Sequence, residues 1–397
     1  MVLAAILVAA AADSDAPAAV ADRETLPSDT LAPQPKKPAV STGRAFAPGG
    51  RQVAPGAGLD LSGPVAMILP LDAPGLIGEA ASAFLRGYED AATAAGIRAA
   101  LDIYGTDGRE VSGLAGYQQA VEEGSSVIVA AMVRGVADRI VELDESQQVF
   151  SLLLQLPDEP EDASGDIYFF PLGAEVEAVQ FVSTIGLAAE QTYVLVEPNR
   201  IGHRLLDAIR REWGQRDATA LIERQILNND SWRELHEELR AFLEVDEDEP
   251  AAASVQLPAP PAIFVAGSRT FANRARLNVP SAIDIYVPAS TFTGVRQRAS
   301  ARLVASRGMR FFEMPALLAP EDFPPPPAAA ANHIAQRFYA AGLDAFMIVA
   351  NAAIWSTDNY WQGEGATGAL ALRGRSFRRN GIEVEVGSDG RLRQLDQ

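Results

Sequence analysis

From about Gly63 the chain alternates short, uninterrupted apolar runs with segments whose apolar residues recur at intervals of three and four. Uninterrupted runs predict strands buried on both faces and the spaced segments predict amphipathic helices, so their alternation predicts an α/β sheet of parallel strands. The first unit is the clearest. Val65 to Leu71 reads as a strand, and the helix after it sets Ile77, Ala81, Phe84, Leu85, Tyr88 and Ala92 along one face before Gly96 closes it. Further strands are predicted at 99–104, 126–131, 150–154 and 166–170, with helices at 112–123, 135–143 and 175–189.

A second series of the same build follows, with strands at 193–196, 220–227, 262–266 and 283–287 and helices at 202–213 and 232–243. The acidic, Pro-rich stretch from Asp246 to Pro261 interrupts it and reads as a surface loop. After Pro288 come a strand at 309–314 and helices at 329–341 and 345–353, too few strands for a third domain, so this part is expected to complete sheets begun earlier. The expected fold class is therefore α/β, with two Rossmann-like lobes built on parallel sheets and joined by multiple crossovers. One lobe is expected to hold about 63–172 and 288–352, and the other about 173–287 and 353–397.

The first 62 residues lack this alternation. Met1 to Ala12 is an apolar run that passes into Asp13-Ser14-Asp15, a pattern like the apolar core and small-residue exit of a secretory signal, which predicts export to the periplasm. Residues 13–62 are rich in Ala, Pro, Gly and Asp and nearly devoid of aromatic residues, so they are expected to form a disordered stalk. A flexible coil of about fifty residues spans roughly 40 Å. The net charge of −19 disfavours nucleic acid and anionic membrane surfaces as partners, because both repel an acidic protein, and no nucleic-acid partner is expected. With no cysteine, the chain has no disulfide, thiolate metal site or thiol nucleophile.

Candidate chemistry is sparse. The only histidines, His203, His236 and His333, stand 33 and 97 positions apart, far from the spacing of a metal-binding pair. There is neither a G-x-S-x-G nucleophile elbow nor a phosphate-binding G-x-x-x-x-G-K-[ST] loop. An enzyme is not expected, nor a cofactor or a metal. In an open α/β sheet, ligands bind beyond the carboxyl ends of the strands. That rule selects Leu71, Asp72, Ala73 and Gly75 after the first strand, and Met132 and Arg134 after the third. In the second series it selects Glu197 and Asn199, with Ser268 and Arg269 after a later strand. The plainer role for a polar residue at such a place is to cap the helix that follows.

Val65 to Leu71, a Gly-containing loop and Ala83-Phe84-Leu85-Arg86-Gly87-Tyr88 together resemble the opening of the type I periplasmic binding proteins, among them the branched-chain amino-acid receptors. Three more stretches resemble one branch, the LppC family of penicillin-binding protein activators. These are Phe169-Phe170-Pro171-Leu172 leading to Glu175-Val176-Glu177-Ala178, then Arg337 to Ala345, and finally Gly365 to Leu370 with Gly390-Arg391-Leu392. The resemblance covers about 64–396 and implies a non-catalytic, outer-membrane-associated periplasmic regulator that binds and stimulates a penicillin-binding protein, a peptidoglycan synthase. The sequence departs from that family in lacking the cysteine that carries a lipoprotein's lipid, and only the stalk precedes its binding-protein-like part.

The amino-acid receptors place small hydroxyl residues in the first cleft loop, where this chain has Leu71-Asp72-Ala73-Pro74-Gly75. A carboxylate there would repel that of an amino-acid ligand. This favours the regulator over the alternative, a substrate-binding receptor of an ABC importer for amino acids or related small molecules. The two differ in the cleft, which in a receptor is a polar pocket that closes on its ligand.

Overall fold

The computed structural model describes residues 63–97, 101–143, 149–160, 163, 165–214, 221–241, 261–292, 306–327, 332–358 and 360–395. The signal-like segment, the stalk and residues 246–260 of the acidic loop lie outside them.

Apolar runs become parallel strands wherever both faces are covered. The first sheet contains β1 (Val65–Leu69), β2 (Leu101–Gly105), β3 (Val127–Ala130), β4 (Ser151–Leu153) and β5 (Ile167–Phe169), parallel and in the spatial order β2-β1-β3-β4-β5. The second repeats that order with β6 (Thr192–Val196), β7 (Leu221–Gln225), β8 (Ala262–Ala266), β9 (Ile285–Tyr286) and β10 (Met309–Glu313), running β7-β6-β8-β9-β10. Each strand series thus folds into its own doubly wound half.

The C-terminal part supplies five strands absent from the sequence-based expectation. β11 (Gln362–Gly365), β12 (Gly368–Arg373) and β13 (Ser376–Asn380) extend the first sheet beyond β5, while β14 (Ile382–Val386) and β15 (Leu392–Gln394) extend the second beyond β10. They pair antiparallel except where β13 joins β5 in parallel. Both sheets are therefore mixed, not purely parallel. The expected boundaries need correction here: strand 309–314, assigned with the first lobe, is β10 of the second sheet, and β11 to β13, assigned with the second, belong to the first. Packing decides both placements. Met309 and Phe311 join the core around Ile263 and Ile285, whereas Leu370, Leu372 and Phe377 join the core around Met67 and Leu152. The chain passes between the sheets after β5, after β10 and between β13 and β14.

Helices flank the sheets: α1 (Leu76–Ala94), α2 (Glu110–Glu122), α3 (Arg134–Val141), α4 (Glu175–Phe181), α5 (Arg200–Gly214), α6 (Asn229–Ala241) and α7 (Arg269–Asn278). Helix α1 ends as expected. Gly96 takes a left-handed φ of 69°, its N–H donating to the Thr93 carbonyl at 3.0 Å while that of Ile97 donates to the Ala92 carbonyl at 2.9 Å, a paired cap that an L side chain disfavours. Helix α7 was not predicted, because its sequence RTFANRARLN is mostly polar; the Ser268 side chain starts it by accepting from the Phe271 N–H.

The two helices predicted at 329–341 and 345–353 are largely one, His333–Ala350, followed by a short helix Ala352–Asp358. Gly342 does not break it, because a bare backbone is needed there for packing. A Cβ on Gly342 would stand 2.0 Å from the Phe84 carbonyl oxygen and one on Gly87 2.1 Å from that of Tyr339, so α1 and the long helix cross with their backbones in contact.

Candidate functional site

The residues selected at the strand ends are largely spent on local structure. In the first loop Leu71 packs against the core, Ala73 is buried, Gly75 opens α1 with a φ of 67°, and the exposed Asp72 donates its backbone N–H to the Thr106 carbonyl at 3.0 Å. Met132 also packs against the first core. Across the molecule, Glu197 accepts from the Ser268 N–H at 2.6 Å and its hydroxyl at 3.0 Å, and Asn199 accepts from the Gly202 N–H at 2.9 Å at the start of α5. Arg269 is the first residue of α7. The structure brings Glu197 and Ser268 together, but as a cap and its brace.

Arg134 is the exception, because it reaches across the molecule. Its Nη1 stands 3.3 Å from the exposed Asp158, and its Nη2 donates to Oε1 of Glu175, the first residue of α4. The same oxygen accepts from Nη2 and, at 2.9 Å, Nε of Arg204 on α5. Arg134 follows β3 of the first sheet and Arg204 follows β6 of the second, so a single carboxylate joins the carboxyl-end edges of both halves. Glu175 is 6% exposed. Burial alone would raise its carboxyl pKa, but the two guanidinium groups outweigh that and hold it below the usual range.

Two further ties cross between the halves. Arg378 of β13 holds the buried Glu212 of α5 through a fork of bonds at 3.1 and 2.9 Å. Gln180 of α4 exchanges bonds with the Gly381 backbone, both 2.9 Å, at the passage between β13 and β14.

Behind these ties lies a buried charged cluster where the passages meet. Glu313, fully buried at the end of β10, accepts from Arg337 Nε at 3.0 Å and Nη2 at 2.5 Å, while Arg337 Nη1 donates to the Phe292 carbonyl at 3.2 Å. Two turns along the same helix, Asp344 accepts from the Ala366 N–H at 2.6 Å and the Thr367 N–H at 2.8 Å, fixing the link between β11 and β12. Glu177 accepts from the Ala289 N–H, and Arg379 of β13, 7% exposed, faces Glu177 and Asp344. Among the described residues the Nη1 of Arg379 has no hydrogen-bond partner, and it borders a cavity of about 20 Å³, room for about one water molecule. A larger hollow of about 330 Å³, lined by Arg307, Glu385, Asp389 and Arg393, lies at the outer end of the second sheet. Neither contains any of the residues selected from the sequence.

Burial raises the pKa of Glu177 from 4.5 to about 7 and that of Asp344 from 3.8 to about 6, each against its own hydrogen-bond donors. Between pH 4.5 and about 7 the folded protein thus keeps a proton on Glu177 that the unfolded chain has released, so this contribution to stability is complete at the acid end and lost as the pH rises. Asp344 acts in the same direction at lower pH, and His333, whose pKa burial lowers, acts in the opposite one. Glu177→Gln isolates the effect. In urea unfolding the variant should gain on the parent by an amount of the order of 2 kcal/mol from pH 4.5 to 7; parallel profiles would show that Glu177 titrates normally.

The family model described as "LppC putative lipoprotein" matches residues 61–377. The chain belongs to the LppC family. Its fold is shared with the C-domain of LpoA from Haemophilus influenzae, described as a regulator of PBP1A, at a TM-score of 0.63 and 16% identity over 84% of this chain and 99% of that one. Full-length LpoA from the same organism gives a TM-score of 0.66 and 16% identity over 84% of this chain, which spans 59% of the length of that protein. An ABC-type branched-chain amino acid transporter protein from Rhodopseudomonas palustris matches at a TM-score of 0.56 and 14% identity, over 85% of this chain and 96% of that one. The fold is that of the type I periplasmic binding proteins. None of the curated proteins matches.

Within this LppC chain, sequence reasoning missed Arg204, Glu313, Arg337, Asp344 and Arg379 as members of a site. One signal was available. Arg337 and Asp344 stand seven residues apart, on one face of the largely apolar segment AQRFYAAGLDAFMIVA. Ionisable residues on the buried face of a helix require partners, and those partners mark where other elements converge. No group of three or more His, Asp or Glu residues among the described residues is arranged to hold a metal ion, and no helix among them is long and apolar enough to cross a membrane.

Proposed function

We propose that this LppC protein is a non-catalytic regulator of peptidoglycan synthesis that works in the periplasm, associated with the outer membrane, by binding and activating a penicillin-binding protein. Membership of the family across residues 61–377 carries the reading. The geometry supports it from another side: most of the strand-end residues that would meet a solute, Asp72 and Arg269 apart, serve as caps, core or ties between the halves, and the carboxylate of Glu175 occupies Arg134. A surface held in one arrangement suits docking to a protein, since little ordering is needed on association.

The test uses the full chain with the periplasmic part of a bifunctional penicillin-binding protein. Complex formation by surface plasmon resonance and a faster rate of glycan polymerisation or cross-linking are expected, with no heat of binding for a panel of free amino acids. Micromolar binding of an amino acid without engagement of the synthase would replace this reading by that of an importer receptor.

A further inference from the structure

We infer that Arg134 and Arg204 form a carboxylate-binding site between the two halves, and that Glu175 is its resident, intramolecular ligand. The site is built at the carboxyl-end edges of both sheets, where open α/β folds take their ligands. One guanidinium comes from each half, and both converge on the same oxygen, Oε1 of Glu175. The carboxylate is buried and the arginines are mostly so, with side chains 21% and 25% exposed. Glu175 also retains ligand-like features: its Oε2 has no hydrogen bond among the described residues and lies where a side chain on Gly173 would have to go. A chain that carries its own carboxylate into such a site holds its halves together without a solute, and solute carboxylates must compete with a group already in place.

Removing the resident ligand exposes the site. Glu175→Ala deletes Cγ, Cδ and both Oε atoms, which together are the heavy atoms of acetate, and leaves two guanidinium groups facing a cavity of that shape. Among the described residues, the exposed Asp158 and the nearby Asp138 are the carboxylates that then remain against Arg134. An uncompensated, partly buried positive charge recruits an anion.

The experiment measures Tm of the full chain and its Glu175→Ala variant in sodium acetate and in sodium chloride of equal ionic strength. The variant should melt lower than the parent in chloride and rise by about 2 °C or more in acetate once acetate exceeds its Kd about tenfold. The parent should not respond to acetate, and adding Arg204→Gln to the variant should abolish its response. Equal responses in chloride and acetate, equal responses of parent and variant, or none in either would overturn the inference. If the alanine variant does not fold in chloride, refolding from urea in the two salts gives the same reading: recovery in acetate alone supports the site, and failure in both overturns it. The result does not depend on whether a synthase binds, so it stands or falls apart from the proposed function.

Discussion

Arg337→Met is expected to cost about 3 to 5 kcal/mol of stability at neutral pH, read from the shift in urea midpoint. The size follows from what stays behind. Glu313 is fully buried and draws two of its hydrogen bonds from Arg337, so the variant leaves a carboxylate with neither water nor its main counter-charge. Arg379 is the cation remaining in the cluster, and Glu177 and Asp344 already face it. Glu313→Leu combined with Arg337→Met should restore most of the loss, because replacing both members of a buried pair by apolar groups is far less harmful than removing one. A loss under about 1 kcal/mol for the single variant would show that the pair is dispensable to the junction.

Gly342→Ala is the second large effect, about 3 kcal/mol of destabilisation, although alanine favours a helix by about 1 kcal/mol over glycine. The added methyl group would meet the Phe84 carbonyl oxygen at 2.0 Å, and that oxygen belongs to the backbone of α1, which has no rotamer to escape through. The helices must move apart, which loosens the packing of Tyr88 on Phe346, now edge to face with centroids 5.4 Å apart. Gly214→Ala at the end of α5 is the control, since nothing among the described residues stands within 4 Å of its new methyl group, and it should be neutral or slightly stabilising. Equal urea midpoints for the two variants would refute the role given to the helix crossing.

The strand-helix alternation was legible because it is written locally. A parallel strand covered on both faces must be an apolar run, and β1, β3, β6 and β8 are such runs, buried along nearly their whole length. The C-terminal strands are short and polar-rich, and all their pairings but that of β13 with β5 are antiparallel: β12 alternates buried with more exposed residues, and β13 carries two arginines. Their placement depends on pairing with β5 and β10, which precede them by about 200 and 70 residues, and no local pattern records a partner that distant.

The candidate site followed the same division. Choosing residues beyond strand ends found Arg134, which the structure places in the tie to Glu175, and also Asn199 and Ser268, which it uses as caps, and Glu197, which braces Ser268, because a polar residue before a helix looks the same in sequence whichever purpose it serves. Composition, the strand series, the helix faces and the family-like segments were thus determined by the chain itself, through backbone and burial preferences that act within a few residues. The tertiary structure alone decided which sheet each late strand joins, that Gly342 lies inside a helix and not at its end, and that carboxylates and guanidinium groups far apart in sequence share one junction. Those outcomes rest on close packing and on Coulomb energies in a buried setting, and both depend on distances that exist only once the two halves have come together.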